Sequence, residues 1–163
     1  MKVIFLDIDG VLNSNFWNDT HQREISDGTL IDEEKVMLLG QLIRNTSAKV
    51  ILHSGWKFWF DSEVKPLRRE AERLISMLEK EGIKVNGVTP DHTTEEIRKS
   101  KKFSLVKASK ILAWVSQYDN IEKWIVIDDL DLHNEEIRKH QILTDASIGL
   151  TVENICEAER LLL

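Results

Sequence analysis

A single cysteine, Cys156, stands among the 163 residues, so no disulfide can form within the chain. That scarcity points to a reducing compartment, and the cytoplasm is the expected location. Long apolar runs are missing as well. None approaches the roughly 18 residues that a membrane span needs, so no membrane partner is expected. The opening run, Val3 to Leu6, is too short for the hydrophobic region of a secretion signal and ends in carboxylates. A basic surplus is also absent: 22 Lys and Arg face 28 Asp and Glu, a formal net charge of −6. A nonspecific nucleic-acid coat depends on neutralising phosphates, and this balance argues against one. No internal repeat, low-complexity tract or linker interrupts the sequence. What is present, 42% hydrophobic and 31% charged residues, suits one globular domain spanning residues 1–163.

Short β-branched runs alternate with helical periodicities. Lys2–Leu6 reads as a strand buried on both faces, and the polar stretch 13–30 reads as a loop or small cap insert. Asp32 is placed to cap a helix running to Asn45, and 49–53 is a second strand ending at Ser54-Gly55. A helix is expected over 64–81, with Pro66 in its first turn, Leu67, Leu74, Ile75 and Leu78 as its stripe, and Gly82 as its stop. Further strands are expected at 83–88, 123–127 and around Ile142-Leu143, with helices from Ser104 to Gln117 and from Thr151 onward. Cys156, on a face of that last helix, reads as a small buried hydrophobe. The alternation implies an α/β fold: a three-layer, Rossmann-like parallel sheet with helices on both faces and a minimal cap.

Ligand sites of such sheets lie beyond the carboxyl ends of the strands. That rule selects Asp7 to Gly10, Ser54-Gly55, the turn after Val88, and Asp128-Asp129. Asp7 and Asp9, two residues apart at the end of a buried strand, repel each other and need a counter-charge. Asp128-Asp129 ends another strand, so several carboxylates converge on one place. A divalent cation with oxygen ligands answers this economically, and Mg2+ suits a few carboxylates and a substrate phosphate best. Either pair alone is ordinary turn chemistry. Two such pairs at equivalent strand ends favour the ion.

Asp7-Ile8-Asp9-Gly10-Val11-Leu12 resembles the opening motif of the haloacid dehalogenase superfamily of phosphohydrolases. Three further motifs follow in that family's order: Ser54 closing Val50-Ile-Leu-His-Ser, Lys107 near a helix start, and Asp128-Asp129 after Ile-Val-Ile. More narrowly, Ser54-Gly-Trp-Lys57, Ile111-Leu-Ala-Trp114 and Thr144-Asp resemble small phosphatase-like domains of phage, bacterial and nucleic-acid-repair proteins. The resemblance implies that Asp7 attacks phosphorus and forms an aspartyl-phosphate, while Asp9 serves as general acid and base. It further implies phosphoryl binding by Ser54 and charge balance by Lys107. The metal would be held by Asp7, Asp128 and the Asp9 backbone carbonyl. Asp129 or Asp131 would support the waters or the lysine from behind, and Gly10 would let the chain turn beside the phosphate. Lys57 stands where the family pattern has Arg, and Ala108 follows Lys107 where Gly is common, so Lys110 is a rival to Lys107.

The expected partner is a phosphorylated substrate, with a nucleotide or nucleic-acid end favoured. Residues 98–110 carry six basic side chains and no acidic one, either a solvated run or a phosphate-docking strip. Gly55, Trp56, Lys57 and Lys110 are candidate substrate contacts. Trp56, Phe58, Trp59, Phe60 and, in the first loop, Trp17 are either base stackers or core anchors. The spans either side of Ser54 are too short for a large cap, which leaves bulky substrates admissible. The competing readings are a small-metabolite phosphatase of the same superfamily, a catalytically silent binding module, and a phospho-receiver-like signalling domain. The order of the acidic motifs speaks against the last.

Overall fold

The computed structural model describes residues 1–15, 21–26, 28–89 and 103–163. Five strands form its main sheet: β1 (Lys2–Leu6), β4 (Lys49–Leu52), β5 (Val85–Val88), β6 (Lys123–Asp128) and β7 (Gln141–Leu143). Their order is β5-β4-β1-β6-β7 and every pairing is parallel. β1 is central. Its residues from Val3 to Leu6 have no solvent exposure, which explains the unbroken apolar run.

Successive side chains of a strand point to opposite faces, and the two cores follow that period. Ile4, Leu6, Val50, Leu52, Ile125 and Ile127 face one side. There they meet α1 (Glu33–Thr46), α2 (Arg69–Lys80) and α5 (Val152–Leu162). Val3, Phe5, Ile51 and Val126 face the other side, against α3 (Phe103–Ser116) and the single turn α4 (Glu135–Arg138). The result is the three-layer α/β architecture expected from the alternation. Among the described residues no helix is long and apolar enough to cross a membrane.

Several boundaries differ from expectation for local reasons. The stretch 13–30 holds an antiparallel hairpin, β2 (Gln22–Ser26) with β3 (Thr29–Asp32). Ile25 and Ile31 are buried in the larger core, and Arg73 of α2 donates to the Ile25 carbonyl. α2 starts at Arg69, not Val64, because Asp61 Oδ1 accepts from both Glu63 N and Lys65 N at 2.8 Å and coils the chain first. Val64 has φ 64°, outside helical space, and Pro66 bridges to Phe60. Leu67, expected on the helix stripe, is consequently exposed. Ser104 lies inside α3 and does not cap it. Cys156 is exposed, contrary to expectation, because α5 buries Ile155, Ala158 and Leu162 and turns the next position outward.

Candidate active site

β1 delivers Asp7 to the end of the sheet, where its backbone N–H still pairs with Ile127 O at 3.0 Å. The chain then coils tightly, with Val11 N and Leu12 N both donating to Ile8 O. Gly10, at φ 79°, makes that reversal possible. β6 ends alongside with Asp128, fully buried, followed by Asp129. One carboxylate oxygen each from Asp7, Asp128 and Asp129 lies within 4.8 Å of the others. Lys107, one turn into α3, reaches in from the opposite layer. Its Nζ pairs with Asp128 Oδ2 and stands 3.8 Å from Asp7 Oδ2.

Three carboxylates against one ammonium leave an excess of negative charge in a buried place. Burial drives the Asp7 carboxyl well above its usual range. The Lys107 charge opposes this, and Asp128 and Asp129 add to it. Asp129 is raised by burial too, and it shares a hydrogen bond with Asp7. Burial would lower Lys107, but the charges of Asp7 and Asp128 outweigh it and hold the ammonium above its ordinary value. An all-oxygen donor set with uncompensated charge fits a hard divalent cation. These residues could hold a metal ion, with Asp129 beside Asp7 and Asp128, not behind them.

Asp9 takes a different course. Its carboxylate accepts from Asn13 Nδ2 at 3.0 Å and from the Trp56 indole N–H at 3.1 Å, and it is absent from the three-carboxylate group. Asp131 also lies outside that group. It is partly exposed and caps His133 N.

β4 lies beside β1, with Leu52 opposite Leu6 and His53 N donating to Leu6 O at 2.7 Å. Ser54 follows, nearly fully buried. Its hydroxyl oxygen accepts from Trp56 N at 3.3 Å, which starts the 3-10 turn Gly55–Trp59 and leaves the hydroxyl proton available to donate. Gly55 opens that turn at the surface. Lys57 donates to Thr89 Oγ1 at 3.4 Å, and His53 Nδ1 shares the same hydroxyl at 3.2 Å. Burial, then the charges of Lys107, Lys57 and Lys110, pushes His53 well below its ordinary value, so the ring is neutral. Lys110 is itself buried, one turn beyond Lys107.

Beside the carboxylates opens a cleft of about 610 Å³. Asp9, Asn13, Asp129, Trp56, Trp59 and Thr29 of the hairpin are among the residues that line it. The two indoles are 4.7 Å apart between centroids, and the Arg68 guanidinium lies 5.0 Å over Trp59. Of the aromatic run, Trp56 and Phe60 are buried, whereas Phe58 is exposed. Trp17 and the basic residues Arg98, Lys99, Lys101 and Lys102 lie outside the described residues.

Three residues of the site were not among the candidate site residues drawn from the sequence. Asn13 holds Asp9 and accepts from Gly10 N at 2.9 Å. Thr144 donates to Gly10 O at 2.8 Å, and Thr89 carries the hydroxyl shared by His53 and Lys57. Asn13 closes the stretch that opens at Asp7, and Thr144 follows β7. Thr89 opens the turn after Val88 and Thr144 begins the Thr144-Asp motif, so both lie in stretches already marked in the sequence.

A search among curated proteins returned no significant match. A family model does match, over residues 3–155, and those bounds take in β1, the acidic loop, Ser54, Lys107 and the Asp128-Asp129 pair. With the parallel sheet and the carboxylate cluster at its expected end, the chain belongs to the family described as "HAD domain in Swiss Army Knife RNA repair proteins", a HAD-type hydrolase domain.

Proposed function

We propose that the protein is a magnesium-dependent phosphatase that hydrolyses a phosphomonoester through an aspartyl-phosphate on Asp7. The observation that carries this reading is the burial of Asp7 between Lys107 and the carboxylates of Asp128 and Asp129. A carboxyl held high by burial and repulsion is a poor nucleophile, so the reading requires added positive charge beside it. Bound magnesium, held by Asp7, Asp128, Asp129 and the Asp9 carbonyl, would supply that charge and offset the negative phosphoryl oxygens.

The protein groups divide the work as follows. An Asp7 carboxylate oxygen attacks phosphorus, and the bond from phosphorus to the leaving oxygen breaks. Asp9 gives that oxygen its proton. Asp9 then takes a proton from water as the water oxygen attacks phosphorus, the acyl-phosphate bond breaks, and inorganic phosphate leaves with Asp7 restored. Ser54 donates to a phosphoryl oxygen, and Lys107 balances the charge that builds there.

The favoured substrate is the terminal phosphate of a nucleotide or nucleic acid. Two things support it: the family's description places such domains in RNA repair proteins, and the cleft beside Asp9 is lined by the half-buried ring of Trp59, which suits a base. The test is phosphate release, with and without magnesium, from sugar phosphates, mononucleotides and oligonucleotides phosphorylated at the 5′ or 3′ end. Metal-dependent release from the nucleotide substrates is expected. Asp7→Asn should abolish it, by at least about 10³-fold, while the circular dichroism spectrum persists. Release from sugars alone would sink the nucleic-acid preference, and release from nothing would favour a silent binding module.

A further inference from the structure

We infer that Trp56, together with Asn13, is a positioning residue for Asp9, fixing its carboxylate toward the leaving-group side of the cleft. The inference rests on the phosphatase reading above, in which Asp9 handles the proton.

An aspartate on a loop has two free side-chain torsions, and a proton donor that wanders loses most of its effect. Here each carboxylate oxygen has its own donor, from a different part of the chain. Asn13 Nδ2 serves Oδ1 at 3.0 Å and the Trp56 indole serves Oδ2 at 3.1 Å. Two donors on two oxygens fix the plane of the group as well as its direction, and each oxygen keeps a lone pair for a proton. Neither donor is loose. Asn13 is held in turn by Gly10 N at 2.9 Å and Leu30 O at 3.0 Å. Trp56 is only 4% exposed, anchored in the main core and packed against Trp59. A buried indole N–H needs an acceptor, and this one is directed at Asp9 over any backbone carbonyl. Asp9, Asn13 and both tryptophans line the same cleft, so the acid is presented where a leaving group would lie.

Leaving-group dependence separates positioning from structure. A 5′-mononucleotide departs as an alkoxide and needs its proton, whereas 2,4-dinitrophenolate departs without one. Trp56→Phe removes the N–H and keeps a buried ring. It should lower kcat/KM for the mononucleotide by about 10-fold or more, and for 2,4-dinitrophenyl phosphate by no more than about 2-fold. Asn13→Ala, which leaves the tryptophan core untouched, should show the same selective loss. Equal losses on both esters, or no loss on either, overturn the inference. The contact has its own readout in the indole N–H resonance of Trp56, assigned as the signal missing from Trp56→Phe. That resonance should move in Asp9→Ala, and an unmoved signal overturns the inference regardless of turnover. Should the native enzyme hydrolyse neither ester, the phosphatase reading fails, and the resonance still decides whether Trp56 holds Asp9.

Discussion

Gly10 sits where a β-carbon has no room. A β-carbon built there would lie 2.6 Å from both Asp129 Cγ and Oδ2, and φ 79° is itself costly for any L side chain. Gly10→Ala should therefore push Asp129 away from Asp7 and Asp128. Urea unfolding should show a loss of about 1–2 kcal/mol from the backbone alone, and calorimetry should show weaker divalent-cation binding. Unchanged metal affinity would mean that Asp129 is dispensable to the cluster. At this scale legibility was uneven. Asp7, Ser54 and Asp128 announce themselves because each stands at the end of a buried strand, whereas Lys107 is named only by the family resemblance, with Lys110 as its rival. The Trp56–Asp9 bond joins positions 47 residues apart, and no local pattern encodes it. Nor could spacing separate Asp129 from Asp131: both follow Asp128, and only the turn that lets Asp128 Oδ1 cap Leu130 N decides which one faces inward.

Elements were readable wherever the apolar period was clean. β1, β6 and α1 fall close to expectation, and Asp32 caps α1 by accepting from Glu34 N at 2.9 Å. The hairpin was hidden because its strands are short and mostly polar, with Ile25 and Ile31 too few to show alternation. α2 starts later than the Pro66 signal suggests, because the turn held by Asp61 displaces helix geometry that Pro66 would otherwise suit. α5 shows the opposite case. Thr151 Oγ1 accepts from Asn154 N at 3.1 Å while Asn154 Oδ1 accepts from Thr151 N at 2.9 Å, a reciprocal cap that fixes the helix start. Thr151→Ala should cost about 1 kcal/mol in urea unfolding. Turnover should hardly change, because α5 supplies no group to the cluster. A comparable loss of kcat would contradict that separation.

Across the whole molecule, parallel strands bring every carboxyl end to one side, which is why residues from four distant segments meet there. Acidic groups gather at the ends of β1 and β6 with Lys107 among them, and the charges of Lys107, Lys57 and Lys110 act on His53 at β4. That arrangement predicts a pH dependence of global stability. An unfolded histidine takes a proton near 6.5, but the buried His53 ring does not, so the unfolded state binds more protons below that pH. Its contribution is intact above 6.5 and is lost as pH falls, by at most about 1.4 kcal/mol per pH unit. Asp7 and Asp129, held above their ordinary values, act in the opposite sense, so the comparison must be with a variant that keeps them. Between pH 7 and 5 the native protein should lose stability more steeply than His53→Gln, and equal slopes would show that the ring protonates freely in the fold.

The central place of β1 also governs when the protein can come into being. Lys2 pairs with Lys123, about 120 residues further on, and loop closures of that length are slow and late. During synthesis the first strand must wait, with one neighbour missing, until β6 has left the ribosome. Asp7 is made about 120 residues before Asp128 and Asp129. The carboxylate cluster therefore cannot exist until β6 has paired with β1. Its appearance is a direct report that the sheet has closed.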